Sequence, residues 1–262
     1  MITSLQNPTI KNIIKLSKNK ERREQNIFVL EGAREFSLAL ESNYQVANIF
    51  ICKELFAKTK YPNILSNIDN SKITEISLSI FEKVAYRENS DGIIALMKPK
   101  LHTLEDLYLS DNPFIIILEA VEKPGNLGAI LRTADAANID AVIICDPQTD
   151  IYNANVIRSS VGGIFTVPVG ICTSAEAINW LNQNNITSFA AELRASKNYL
   201  SADYTQPTAI VMGTEAEGLS DLWLNNADHR IIIPMNGKID SLNVSVSTAI
   251  ITFEGMRQRN ML

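Results

Sequence analysis

Apolar positions along this chain fall into two alternating rhythms. Short aliphatic runs at residues 114–118, 141–145, 209–212 and 230–233 are rich in Ile and Val. Such runs suit strands buried on both faces of a parallel sheet. Between them, residues 126–138, 174–184 and 243–256 carry helical spacing. Leu127, Ile130, Leu131 and Ala134, for example, recur at i, i+3, i+4 and i+7, which lines up one buried stripe. Val246, Ala249, Ile250 and Phe253 form the corresponding apolar face of the last helix. Ser245, Ser247 and Thr248 in that helix prefer caps and turns; their small size suits close approach to another backbone. Strand–helix alternation of this kind predicts a sheet covered on both sides, with ligands at the carboxyl ends of its strands.

The first hundred residues have a looser α/β pattern. Helices are predicted at residues 10–17, 31–41 and 78–84, with strands at 27–30, 46–52 and 92–97. Pro99 stops the last of these strands, because proline cannot donate to a central ladder. The expected division is therefore a small α/β domain, 1–99, and a larger parallel-sheet domain, 100–262, with 101–109 as a connector or short helix.

Charge sharpens the division. The net charge of −5 hides 14 Lys/Arg against 11 Asp/Glu in residues 1–99, and 10 against 18 afterwards. The early positives, including Lys11, Lys18, Arg22, Arg23 and Arg34, suggest a locally met anionic partner, although a solvated helix face has the same composition. An overall pI of 5.2 is compatible with nucleic acid, because only the contacting face must be basic.

The remaining counts exclude several classes. Cys52, Cys145 and Cys172 are odd in number and contain no C-x-x-C pair, and only His102 and His229 are present. A disulfide framework, a zinc knuckle or another metal site is not expected. No apolar run approaches the length of a membrane span, and the N-terminus has no signal-peptide pattern. A soluble cytoplasmic protein is the expectation.

Three segments could carry chemistry. Residues 119–135 run from a strand through Pro124-Gly125 into a helix, with Asn126 at a suitable N-cap position and Arg132 opposite the buried stripe. Residues 210–219 run from a strand into a loop holding Gly213, Glu215 and Gly218. Residues 231–249 run from a strand stopped at Pro234, through a polar loop, to a helix capped by Ser241 or Asn243. Each alone also reads as an ordinary loop and helix start, and neither dinucleotide-binding nor P-loop spacing is met.

Taken in this order, the segments resemble the three motifs of the SpoU/TrmH branch of the SPOUT methyltransferases. Asn126-Leu-Gly-Ala-Ile-Leu-Arg132 looks like the first, Gly213-Thr-Glu215-Ala-Glu-Gly218 the second, and Ile233-Pro-Met235 with Ser241-Leu-Asn243 the third. Arg158-Ser-Ser-Val-Gly-Gly163 resembles an intervening family segment. The segments 28–35 and 87–92 resemble a small ribosomal-protein-like RNA-binding domain. Glu122-Lys123 departs from the family, which more often has an uncharged polar residue and Asp there.

The resemblance implies methyl transfer from S-adenosylmethionine to an RNA ribose 2′-hydroxyl, rRNA ahead of tRNA, by a homodimer with a trefoil-knotted C-terminal domain. Chain-topology rules alone would argue against a knot. It further implies catalytic roles for Arg132, Asn126, Glu215 and Asn243, and cofactor binding at Gly213, Ile233, Met235 and Leu242. RNA would meet Lys11, Lys18, Arg22, Arg23, Arg34 and Arg158. A non-catalytic RNA-binding or ribosome-assembly protein on the same scaffold is the alternative, and a base-methylating relative a third reading. The target nucleotide, its RNA context and any general base are not encoded in these motifs.

Overall fold

The computed structural model describes residues 1–87, 90–195 and 197–260. Glu88 and Asn89, within the 87–92 resemblance, lie outside the described residues. The chain forms two compact units: Met1–Leu101 with Asp150–Thr166, and His102–Thr149 with Val167–Leu262. The residue 99/100 division read from the sequence falls close to the first crossing. Residues 150–166, read there as part of the second domain, instead pack with the first unit.

In the first unit, strands β1 (Phe28–Glu31), β2 (Val46–Ile51), β3 (Ile73–Glu75) and β4 (Ile93–Met97) form one sheet in the order β1-β4-β2-β3. β4 is antiparallel to both neighbours, and its five residues are all buried. Helices Pro8–Lys15 and Leu78–Val84 contribute Ile10, Ile13, Ile80 and Phe81 to a core with Phe50 and Ile94. The excursion 150–166 supplies helix Ala154–Ser160 and two aromatic rings. Tyr152 stacks on Phe28 at 4.3 Å between centroids, and Phe165 meets Tyr44 edge-on at 5.1 Å. The Tyr44 and Tyr152 hydroxyls share a hydrogen bond of 3.2 Å. Burial pushes the pKa of both phenols up, so this bond joins neutral groups.

In the second unit, β5 (Phe114–Glu119), β6 (Ala141–Cys145), β7 (Val169–Cys172), β8 (Thr187–Ala191), β9 (Lys197–Asn198), β10 (Thr208–Met212) and β11 (His229–Ile232) form one sheet. Their order is β7-β6-β5-β10-β8-β11-β9, and every recorded pairing is parallel. The four strands read from the Ile/Val runs are all present. β5, β6 and β10 are buried along their whole length, as strands covered on both faces require. Strand order reverses direction beside β5, with β6 on one side and β10 on the other. In open parallel sheets, ligand crevices form outside the carboxyl ends of strands at such a reversal. Among the described residues no helix is long and apolar enough to cross a membrane.

The last helix, Val244–Gln258, reverses one expectation. Its buried side is Val244, Thr248, Ile251, Thr252, Gly255 and Met256. Val246 and Phe253, expected to face the core, are 47% and 41% exposed. The close approach explains the choice of face: a Cβ on Gly255 would lie 2.3 Å from the Phe114 ring. The side with small residues therefore packs inward together with Val244, Ile251 and Met256, while Val246 and Phe253 face outward and Ala249 and Ile250 are half-buried.

Candidate active site

Three loops follow the carboxyl ends of β5, β10 and β11, and their side chains converge. Helix Pro124–Ala136 begins two residues before Asn126, with Pro124 at its first position and Lys123 as the N-cap residue. Proline's fixed φ suits that position. Asn126 is therefore inside the first turn rather than the cap expected from sequence. Its side chain crosses to the next loop, where Nδ2 donates to Glu215 Oε1 at 2.9 Å.

Asn243 does cap the last helix: its Oδ1 accepts from the Ser245 N–H at 3.0 Å. That bond orients the amide, and its Nδ2 donates to Glu215 Oε1 at 2.6 Å and to Asn126 Oδ1 at 3.1 Å. The Lys123 ammonium donates to Glu215 Oε2. One carboxylate thus gathers a donor from each of three residues. The Lys123 contact, then the Asn126 amide, holds the Glu215 carboxyl below the ordinary carboxylate value.

That direction has a consequence for pH. A depressed carboxyl loses its ionised contribution only as pH falls through the lowered value, here below 4.5. Glu215 is therefore expected to stay ionised, and to keep accepting from these donors, at pH values above the ordinary 4.5. Lys123→Met removes the largest cause and should move any Glu215 titration toward neutrality. Carbon-13 NMR titration of the Glu215 carboxyl checks this; an unmoved midpoint would remove Lys123 as the cause.

Arg132 stands apart from this cluster. It lies six positions after Asn126 in the helix, or about 120° around the axis and roughly 9 Å along it. It is exposed, and among the described residues it makes no hydrogen bond or ion pair. One chain therefore brings together Asn126, Glu215 and Asn243, but not Arg132.

Beside the cluster lies a cavity of about 470 Å³, and Gly213, Ile233, Met235 and Leu242 all line it. Glu215 borders it too, and also lines a smaller cavity of about 70 Å³ with Lys123 and Asn126. Gly213 is sterically required: a Cβ there would lie 2.2 Å from the Gly218 carbonyl carbon and oxygen. Those atoms belong to the backbone and cannot swing aside. Gly213→Ala is expected to displace the 213–218 loop at a cost of about 1–3 kcal/mol and to weaken ligand binding in this cavity at least as much as stability. Calorimetric titration with S-adenosylmethionine, alongside a melting curve, checks this.

Sequence reasoning missed other contributors. Arg194, Leu219 and Ser247 also line the cavity, and nothing in their spacing marked them. Glu119, the last residue of β5, is buried and accepts from the Ser220 N–H at 2.8 Å and from the hydroxyls of Ser220 and Ser174. Trp223 Nε1 donates to the Ser174 hydroxyl at 2.9 Å. This network pins the exit of the 213–218 loop to the central strand. A carboxylate closing an otherwise apolar buried strand was its available signal.

Of the six cations expected to meet RNA, Lys11, Lys18, Arg23, Arg34 and Arg158 are exposed. Arg22 is not: it is 6% exposed and pairs with Asp150 at 2.6 Å. Its Nη1 also donates to the carbonyls of Leu16 and Ser17, each at 2.8 Å. It braces the first unit and presents no charge to solvent, which corrects its assignment to the RNA face. Arg158 lies over the Tyr86 ring, 5.7 Å from its centroid.

Residues 113–253 match the SpoU rRNA Methylase family, and residues 7–95 match the MRM3-like substrate binding domain. A curated relative, the 23S rRNA (guanosine(2553)-2'-O)-methyltransferase RlmP of Bacillus subtilis, is 28% identical over 96% of this chain and 97% of its own. A crystal structure of an RNA 2'-O ribose methyltransferase is 36% identical, covering 99% of both chains with a TM-score of 0.86. The AdoMet-bound rRNA methyltransferase from Sinorhizobium meliloti is 26% identical over 98% of this chain and 97% of its own, with a TM-score of 0.88. With a parallel sheet whose strand ends carry all three motif loops, and with more than half its length matched, this chain belongs to the SpoU rRNA methylase family.

Proposed function

We propose that this chain transfers the methyl group of S-adenosylmethionine to a ribose 2′-hydroxyl of RNA, with ribosomal RNA ahead of tRNA as substrate. The observation that carries the reading is the Glu215–Asn126–Asn243 cluster bordering the 470 Å³ cavity. That volume lies within the range of cofactor sites, which are mostly apolar with a few polar groups. Ile233, Met235 and Leu242 offer apolar walls, and the loop around Gly213 offers close-approaching backbone. The residues present therefore fit S-adenosylmethionine, which when bound supplies an electrophilic methyl group. In this reading the loops after β10 and β11 form the knotted crossing that holds it.

The protein's own part is orientation and charge. A 2′-hydroxyl is a weak nucleophile, so the site must hold it in line and stabilise negative charge developing on its oxygen. Glu215 is held ionised and depressed, a poor match for a general base working near neutrality. Its work is to fix the amides of Asn126 and Asn243, which position the ribose. Arg132, with its planar guanidinium fork, binds the phosphate and faces the developing alkoxide.

Arg132 lies away from the cluster of its own chain, so a second protomer completes the site in this reading. The exposed stripe of Val246 and Phe253 on the last helix supports such a homodimer. The basic residues Lys11, Lys18, Arg23, Arg34 and Arg158 would meet RNA phosphates, in the cytoplasm where ribosomes assemble.

The test is incubation with tritium-labelled S-adenosylmethionine and undermethylated rRNA and tRNA, followed by identification of the labelled nucleoside. Label in one 2′-O-methylnucleoside of rRNA is expected. Cofactor binding without label in either RNA would sink the transferase reading; label in a base would move the chemistry off the ribose.

A further inference from the structure

The first unit contains a second cavity, of about 180 Å³, that the methyl-transfer reading leaves unused. We infer that it is a pocket for one unstacked RNA base, gripped at its mouth by Tyr86 and Arg158; this rests on RNA being the substrate. Four elements supply its apolar side chains. Ile13 comes from helix Pro8–Lys15, Val29 from β1, Val84 from helix Leu78–Val84 and Ile157 from helix Ala154–Ser160. Arg22, held by Asp150, also borders these mostly apolar walls, and the chain's excursion through 150–166 closes one of them.

The mouth has different chemistry. Tyr86 is 53% exposed, with the Arg158 guanidinium over its ring. Lys83 and Arg87 join them at the lining. Glu31, the acidic residue of the lining, is engaged: its carboxylate accepts from the N–H groups of Tyr86 at 2.6 Å and Arg87 at 3.3 Å. It thereby fixes the turn that presents the aromatic ring. Arg87 pairs with Glu35, whereas among the described residues Lys83 and Arg158 have no ion-pair partner. Among the described residues, the rim's unpaired positive charge comes from Lys83 and Arg158.

Size and charge select the occupant. The cavity holds roughly six waters at about 30 Å³ each, well below the range for drug-sized ligands. One flat ring system fits, with ribose and phosphate left outside at the cations. A base splayed from its helix loses its stacking; an aromatic face and a guanidinium plane restore it. A flanking phosphate would then fall to Lys83. A purely apolar ligand would gain nothing from that rim.

The experiment uses the full chain and undermethylated 23S rRNA in filter binding, with ultraviolet crosslinking and peptide mass mapping. Tyr86→Ala removes the platform, and Ala154→Trp, at the half-buried lining, fills the cavity. Each is expected to weaken rRNA binding about tenfold, with S-adenosylmethionine binding unchanged, and wild-type crosslinks should map to Tyr86. Lys83→Gln, an exposed change that spares the walls, should lower the salt slope of binding by about one. Wild-type binding with all three variants indistinguishable, and crosslinks elsewhere, would overturn the pocket while leaving the RNA reading intact. Failure of the wild type to bind rRNA would overturn both.

Discussion

Arg22→Ala is expected to remove about 3–5 kcal/mol of stability, the cost of breaking a buried ion pair from one side. The guanidinium is almost wholly buried and uses three nitrogens: Nε and Nη2 on Asp150, Nη1 on two main-chain carbonyls. Deletion leaves the Asp150 carboxylate, 16% exposed, without its cation and two carbonyls without that donor. Total stabilities of domains lie near 5–15 kcal/mol, so the variant should unfold at markedly lower urea concentration. Arg22→Lys should recover only part of the loss, because an ammonium cannot reproduce the planar fork. Equilibrium urea unfolding measures both. A loss under about 1 kcal/mol would place this pair with surface ion pairs and remove its bracing role.

Arg132→Ala should do the opposite: leave stability untouched and abolish most turnover. Arg132 is exposed and makes no polar contact among the described residues, so the melting temperature and cofactor affinity should match the wild type. If it faces the developing alkoxide, kcat should fall about 10²–10³-fold, as for removal of one transition-state donor. Arg132→Lys should keep the charge but lose the fork, giving an intermediate rate. Single-turnover methylation with saturating cofactor separates the chemical step from binding. Unchanged turnover would leave Arg132 an ordinary surface residue, as its helix position alone would have it. If the site is shared between protomers, mixing Arg132→Ala with a cluster variant such as Asn243→Ala should restore part of the activity through the one intact site of a mixed dimer.

The strands of the second unit were legible because burial on both faces leaves continuous Ile/Val runs that little else explains. Of the elements read, helix 78–84 and strand 141–145 were placed to the residue and the others to within two, whereas β3, β7, β8 and β9 and the remaining shorter helices were not read. The misreadings share a physical origin. Asn126 has a capping side chain, but Pro124 starts the helix earlier and frees that side chain for Glu215. The last helix has two faces that could pack, one aliphatic and one of small residues. Hydrophobicity chose the first; the approach of Phe114 to Gly255 shows the second. Arg22 is one basic residue among many in its segment, and its partner lies 128 positions away. No local pattern carries that separation. The cluster residues themselves were found through resemblance, since their convergence depends on strand order rather than spacing.

The aromatic group of Phe28, Tyr44, Tyr152 and Phe165 bears on how such a protein can be rearranged. Two of its rings belong to residues 1–101 and two to the excursion 150–166. A single recombination junction after residue 101 would deliver Phe28 and Tyr44 to a new host with half their packing partners missing. The first unit is thus inherited in two instalments, with the second interleaved in the sequence of the other unit. Swapping specificity between relatives requires grafting both pieces together, and a library built on one crossover would consist largely of chains with an open, sticky socket.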